Sequence, residues 1–181
     1  MKILLIAGHG AGDPGASGCG CKEATLTREL AKLVQAELKP YCTCDLYNTA
    51  RNAYADVQTN KFTLGKYDYV FEIHFNAFNG NAHGTEIHVT PAEKSIGVEK
   101  AVIAQLAKYF TNRGVKRTSF SVIQTVRNRG VSSALLETCF IDNAADMKVY
   151  KAKKKEIAKA IATGIVQGFG LKKTTSRPAA K

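Results

Sequence analysis

Acidic side chains are scarce in this chain: 15 Asp and Glu stand against 26 Lys and Arg, a formal net charge of +11. A surface this basic implies a polyanionic neighbour, for which nucleic acid, an acidic membrane surface and an anionic cell wall all qualify. The signs of the first are missing. There is no RNA-binding signature and no helix-turn-helix spacing, and the aromatics are not interleaved with the basic residues, so no nucleic-acid partner is expected. Long apolar runs are missing too. The opening MKILLIAG holds one lysine before a short apolar stretch that glycines end. It is too short for the apolar region of a secretory signal and far too short for a membrane span. The expectation is a chain made without an export signal, cytoplasmic until something releases it, with its five cysteines reduced at first. No internal repeat is visible. No Gly-Lys-Ser/Thr follows the glycine-rich segment, which excludes a phosphate-binding P-loop.

What is present is ordinary globular composition. Hydrophobic residues make up 45% and charged residues 23% of 181 positions, which excludes disorder for most of the chain and fits one domain with a proper core. Residues 2–7 read as a buried strand, and residues 8–22, with six glycines and one proline, as a loop. From about Ala24 the period changes. Leu26, Leu30, Leu33, Val34 and Leu38 form one helical stripe that ends near Pro40. Further strands are expected at 42–47, 68–75, 84–90 and 133–141, with weaker signal at 119–126. A short helix is read within 51–62. A longer helix is marked by Ile96, Val102, Ile103, Leu106 and Phe110 and closed by Gly114.

The last helix runs from about Ala144 to Phe169 with Met147, Tyr150, Ile157, Ile161 and Ile165 inward. Lys148, Lys151, Lys153, Lys155 and Lys159 occupy its remaining circumference, either as a solvated face or as a surface for a polyanion. Residues 171–181 have no periodicity and read as a basic, mobile tail or the start of a linker, leaving 1–170 as the folded domain. Strands alternating with helices imply a layered α/β domain with a largely parallel sheet.

Three separated side chains carry the candidate chemistry. His9 follows the first strand, Glu23 ends the glycine-rich stretch, and His74 lies near the end of strand 68–75. Two imidazoles and a carboxylate are the ligand set of a catalytic zinc that keeps one position open for water. In open α/β sheets ligands collect beyond the carboxyl ends of strands, so residues distant in sequence can converge there. His9 is wedged between Gly8 and Gly10, where glycines let the backbone pass close to something bound. Glu137, in SSALLETCFIDN, is a carboxylate of the kind a zinc hydrolase uses as its base.

Two rival readings use the same segments. Gly10, Gly12 and Gly15 form a GxGxxG after a strand, but the dinucleotide fingerprint requires a helix to open at the motif. Here Pro14, Gly15, Gly18 and Gly20 delay that helix until about residue 23. Cys19, Cys21, Cys42 and Cys44 offer four thiolates, but Cys-x-Cys is tighter than the spacing of structural zinc sites, and free thiols or an adventitious disulfide are the plainer reading. Cys139 reads as a small packed residue, because Glu137 would not activate it as a histidine would.

The segments GHGAGDPGASGCGCKE, EIHFNA, GTEIHV, NRGVK and LLETCFIDNAAD occur in a specific order and spacing. From about residue 2 to residue 169 the chain resembles the zinc-dependent N-acetylmuramoyl-L-alanine amidases of the amidase-3 type. The resemblance implies a single α/β domain whose twisted mixed sheet is flanked by helices. It implies one zinc per chain on His9, Glu23 and His74, with Glu137 as the catalytic glutamate. The implied reaction is hydrolysis of the amide between N-acetylmuramic acid and L-alanine in peptidoglycan. The chain departs from the family pattern at Cys139 and at Glu72, a position often held by serine. Glu72 shares a strand face with His74, two residues earlier, and is a partner of that ligand, a rival ligand or a rival base. Asn76 is a candidate for orienting substrate and Glu86 for supporting a ligand.

Peptidoglycan is the expected partner, with anionic wall polymers meeting the basic surface; the oligomeric state is left open. The same metal chemistry would serve a metallocarboxypeptidase or another amide hydrolase. A non-catalytic module that binds the cell wall is the alternative from a different class. Wall-degrading chemistry without an export signal resembles bacteriophage lysins, with a bacterial autolysin as the other reading.

Overall fold

The computed structural model describes residues 1–174. Strand β1 (Lys2–Ala7) leads into a hairpin of two-residue strands, β2 (Ser17–Gly18) and β3 (Cys21–Lys22), and then helix α1 (Glu23–Leu38). Strand β4 (Thr43–Leu46), helix α2 (Ala53–Gln58) and strands β5 (Tyr69–Asn76) and β6 (Thr85–Val89) follow. The chain continues through α3 (Gly97–Leu106), β7 (Asn112–Arg117), α4 (Ser121–Asn128), β8 (Ser132–Phe140) and α5 (Ala144–Phe169). The main sheet has the order β4-β1-β5-β8-β6-β7. The first four of these strands are mutually parallel, whereas β6 lies antiparallel to β8 and parallel to β7, so the sheet is mixed.

Period-2 alternation sends the side chains of β5 to two different layers. Tyr69, Phe71, Ile73 and Phe75 face the larger core, which α1, α3 and α5 cover. Val70 faces a smaller core with Leu4, Ile6, Val122 and Val126, under α2 and α4. Glu72 and His74 stand on that second face, beyond the last apolar residue. In α1 the stripe of Leu26, Leu30, Ala31, Val34 and Leu38 is buried, and each large side chain contributes roughly 1.5–3 kcal/mol by leaving water. Helix α5 starts at Asn143, whose side chain accepts from the Ala145 and Asp146 amides at 3.1 and 3.0 Å.

The structure redraws three segments. The glycine-rich stretch is not all loop, since it contains the β2–β3 hairpin. The region 119–126 is helix α4 rather than strand: Val122 and the adjacent Ile123 are both buried, which one face of a strand does not allow. Gly114 does not close a helix. Helix α3 stops at Leu106, and Gly114 lies within β7, a half-exposed edge strand with too few apolar residues to show a period of two. Thr174 is tied down, its amide and hydroxyl both donating to the Pro40 carbonyl at 2.8 Å. The rest of the expected tail, 175–181, lies outside the described residues.

Candidate metal centre

The carboxyl ends of β1, β5 and β8 bring the candidate residues together. His9 leaves β1 through Gly8, Glu23 opens α1, and His74 pairs in register with Glu137 on β8. Just beyond that pair the β5–β8 register shifts, a bulge of the kind that re-aims side chains beside active sites. A ligand atom from each of His9, Glu23 and His74 lies within 4.8 Å of the other two. Among the described residues this is the only such group of three or more His, Cys, Asp or Glu side chains. No cysteine belongs to such a group among the described residues, so the four-thiolate reading finds no support there.

Glu23 spans the two rings. Its Oε1 lies 2.9 Å from His74 Nδ1 and accepts from the Phe75 amide at 3.0 Å. Its Oε2 lies 3.1 Å from His9 Nε2 and accepts from the Ala16 amide at 2.9 Å. Burial alone would raise the Glu23 pKa. The bonds from His74, His9 and the Phe75 amide reverse this and hold it far below the usual carboxylate range. The His9 pKa is raised, chiefly by Glu23 against the opposing effect of burial, with help from Asp13. Burial also pulls His74 down, but Glu23 and Glu72 outweigh it and leave the imidazole well above its ordinary value. A cation entering this site must displace those protons, so metal uptake weakens as pH falls.

Carboxylates behind the rings fix their orientation. His9 Nδ1 lies 2.8 Å from Asp13 Oδ2, and Asp13 in turn accepts from Asn52 Nδ2 at 3.0 Å and the Gly15 amide at 2.9 Å. His74 Nε2 lies 3.1 Å from Glu72 Oε1, which leaves Nδ1 on the Glu23 side. A carboxylate in this place sets the tautomer and makes the imidazole a better donor to a metal. Glu72 therefore stands behind His74, outside the His9–Glu23–His74 group. Glu72→Gln should weaken zinc binding by about 10–100-fold, whereas Glu23→Gln should abolish it. Calorimetric titration of zinc into the metal-free variants checks this, and equal losses would make Glu72 a ligand.

The backbone is shaped around these side chains. His9 itself sits in the left-handed region at φ 62°, an uncommon conformation held by outside contacts. Arg28 supplies them: Nη2 donates to the His9 carbonyl at 2.8 Å and Nη1 to the Gly8 carbonyl at 3.1 Å. Thr27 Oγ1 donates to the same Gly8 carbonyl at 2.8 Å. At Gly15 (φ +64°) a Cβ would lie 2.6 Å from His9 Cδ2 and 2.7 Å from Glu23 Oε2, so only glycine fits.

Glu137 lines a cavity of about 340 Å³ together with Asp13, Glu72, His9, His74 and the apolar Ala53, Val122 and Leu135. Its Oε2 is enclosed and has no hydrogen-bond partner. Burial lifts its pKa to about 8; His74 opposes this, and Glu23, Glu86 and Glu72 add to it. Glu86 is opposite Glu137 in the β6–β8 ladder, but its side-chain hydrogen bonds go to none of the three clustered residues. Its oxygens accept from Lys116 Nζ at 2.6 Å, Arg113 Nε at 2.7 Å and Asn76 Nδ2 at 3.1 Å, with His88 Nε2 at 3.2 Å. Burial would raise the Glu86 pKa, but the Lys116 and Arg113 cations bring it to about 2. Glu86 thus supports no ligand. Asn76 is committed to Glu86 and to the Ala77 amide rather than to the cavity.

Sequence reasoning did not find Asp13, Asn52, Thr27 or Arg28. Only Asp13 carried a usable signal, four residues after His9 in the same loop.

Two imidazoles and a carboxylate facing one another, with nitrogen and oxygen donors and carboxylates behind both rings, fit a divalent metal such as zinc. A detached, unpartnered carboxylate beside that group gives the layout of a metal-dependent hydrolase. The chain belongs to the N-acetylmuramoyl-L-alanine amidase family, whose model matches residues 3–167. It is 29% identical to a sporulation-specific N-acetylmuramoyl-L-alanine amidase of Bacillus subtilis, over 97% of this chain and 71% of that protein. It is 28% identical to an endolysin of Bacillus phage SPP1, over 99% and 70% of the two chains. The fold matches the catalytic domain of the CD27L endolysin targeting Clostridia difficile with a TM-score of 0.77 at 23% identity, covering 92% and 97% of the two chains.

Proposed function

We propose that this chain hydrolyses the amide between the lactyl group of N-acetylmuramic acid and L-alanine in peptidoglycan, using one zinc held by His9, Glu23 and His74. The observation that carries the reading is the approach of these three residues to within 4.8 Å of one another beside an enclosed Glu137. Zinc, when bound, supplies Lewis acidity to a carbonyl and to a water molecule at neutral pH. Glu137 Oε2 accepts no bond from the protein, and a cation held on the three neighbouring residues would favour its charged form, leaving it free to take the proton of the attacking water. The enclosure that makes Glu137 hold a proton firmly then suits it to deliver that proton to the departing alanine nitrogen. Asp13 and Glu72 keep the two rings turned toward Glu23 throughout. Ala53, Val122 and Leu135 line the cavity with apolar surface and limit the water around the scissile bond.

Mass spectrometry of digested peptidoglycan tests the reaction. The expected products carry free L-alanine amino ends, and new reducing sugar ends would overturn the reading. Similarity to a phage endolysin supports a lysin role, in which the chain is made in the cytoplasm and meets the wall after the membrane is breached. Expression inside a bacterium should then leave the culture intact until a pore-forming protein is added, and lysis without it would contradict that role. The exposed Lys148, Lys151, Lys155 and Lys159 on α5 support electrostatic contact with anionic wall polymers. Unchanged binding to walls stripped of those polymers would exclude it.

A further inference from the structure

Large apolar side chains are exposed at few places among the described residues. Met1 lies at the amino end of β1, and the others are three aromatics: Tyr54, Phe78 and Phe120. Tyr54 and Phe120 line the cavity that holds His74 and Glu137. Phe78 is the most exposed of all, at 79%, on the loop that leaves the carboxyl end of β5. It follows His74 by four residues and so lies at most about 14 Å from it along the chain. A single exposed aromatic is unremarkable in itself. Its mounting is not.

The loop under Phe78 is fastened at nearly every residue. Asp142 Oδ2 accepts from the Phe78 amide at 3.0 Å and the Gly80 amide at 2.9 Å. Asn79 Oδ1 accepts from the amides of Asn81 and Ala82 at 3.1 and 3.0 Å, and Asn143 Nδ2 donates to the Gly80 carbonyl at 3.0 Å. A mobile loop could fold such a ring against the protein. This one fixes the backbone that carries the ring at the end of the sheet where the site lies, and leaves the ring largely in water.

The reaction proposed above, on which this inference rests, places a sugar close by. The cleaved carbonyl belongs to a lactyl group joined by an ether oxygen to a pyranose ring, so cutting it brings a glycan strand to the rim of the cavity. Pyranose rings present flat, apolar C–H faces that stack on aromatic rings. We propose that Phe78 is a glycan-binding subsite, its ring stacking on an N-acetylated sugar of the strand next to the muramic residue whose amide is cut. The subsite selects polymeric wall over free stem peptides and takes no part in the bond cleavage.

Two substrates separate this from a general role. On peptidoglycan strands carrying stem peptides, Phe78→Ala should raise KM by about three- to tenfold, the factor expected for one lost aromatic contact, with kcat unchanged. On N-acetylmuramyl-L-alanyl-D-isoglutamine, which has one sugar, its kinetics should equal those of the unaltered chain, and Phe78→Trp should restore the polymer KM. Equal losses on both substrates, or no loss on the polymer, would overturn the subsite. If the unaltered chain cut neither substrate, the amidase reading would fall. The subsite would then be judged on binding to peptide-free glycan, which Phe78→Ala should weaken by the same factor. Unchanged glycan binding would overturn it, as would glycan binding that survives while binding to lipid vesicles is lost.

Discussion

Glu137→Gln should bind as much zinc as the unaltered chain and hydrolyse peptidoglycan about 10²–10⁴-fold more slowly. The side chain lies outside the His9–Glu23–His74 group, so removing its charge leaves the metal donors in place. What the variant loses is the oxygen that accepts and returns a proton. The same substitution has an opposite effect on folding. In the metal-free protein Glu137 keeps its proton up to about pH 8, whereas an ordinary glutamate loses it near 4.5. Between those values the folded chain binds the extra proton, so stability falls as pH rises. A glutamine pays no such penalty. Metal-free Glu137→Gln should match the unaltered chain near pH 4.5 and exceed it near pH 8, by on the order of a few kcal/mol at ~1.4 kcal/mol per pH unit. Denaturant unfolding in the presence of a chelator reads this directly. A variant that loses activity without gaining metal-free stability at high pH would mean that Glu137 is not enclosed as described.

Gly8→Ala should cost the protein its metal. A Cβ at Gly8 would lie 2.3 Å from Cε1, 2.4 Å from Nε2 and 2.7 Å from Nδ1 of His74, so ring and methyl cannot share the space. The backbone has little freedom to yield. The Gly8 amide donates to the Ile73 carbonyl at 3.0 Å, and its own carbonyl accepts from Thr27 and Arg28. The imidazole must therefore leave its place between Glu23 and Glu72. Zinc affinity should fall by more than about 100-fold, beyond the loss expected from disturbing a group behind a ligand, and activity should vanish with it. Gly12→Ala is the control: a Cβ there meets nothing within 4 Å, so its strain stays local and zinc should still bind. Circular dichroism should show both variants folded, and metal analysis should separate them. A Gly8→Ala protein with full zinc content would show that His74 does not hold the metal from this position.

Much of this site was legible in the sequence because its main residues sit on strong patterns. His74 lies on a strand whose alternation is unambiguous, and His9 follows a short apolar run that can only be a buried strand. Glu137 stands out as the one charged residue of its strand. The donors behind the rings were hidden, since their roles depend on contacts between distant segments. Glu72 had three readings until the His74 ring was seen to turn its Nε2 toward it. Glu86 looked like a ligand's support until Arg113 and Lys116, from an edge strand that the sequence pattern did not reveal, were found on its oxygens. The exchange of strand and helix over residues 112–128 has the same origin. Phe120, Val122 and Val126 satisfy a period of two, and only packing against the sheet decides for the helix.

The most direct test is to titrate zinc into the metal-free chain while following bound metal and the release of L-alanine amino ends from peptidoglycan. Activity should rise in proportion to occupancy and saturate at one zinc per chain, and a protein altered at both His9 and His74 should take up none. Full activity in the chelated protein, or stoichiometric zinc uptake by that double variant, would contradict the site described here.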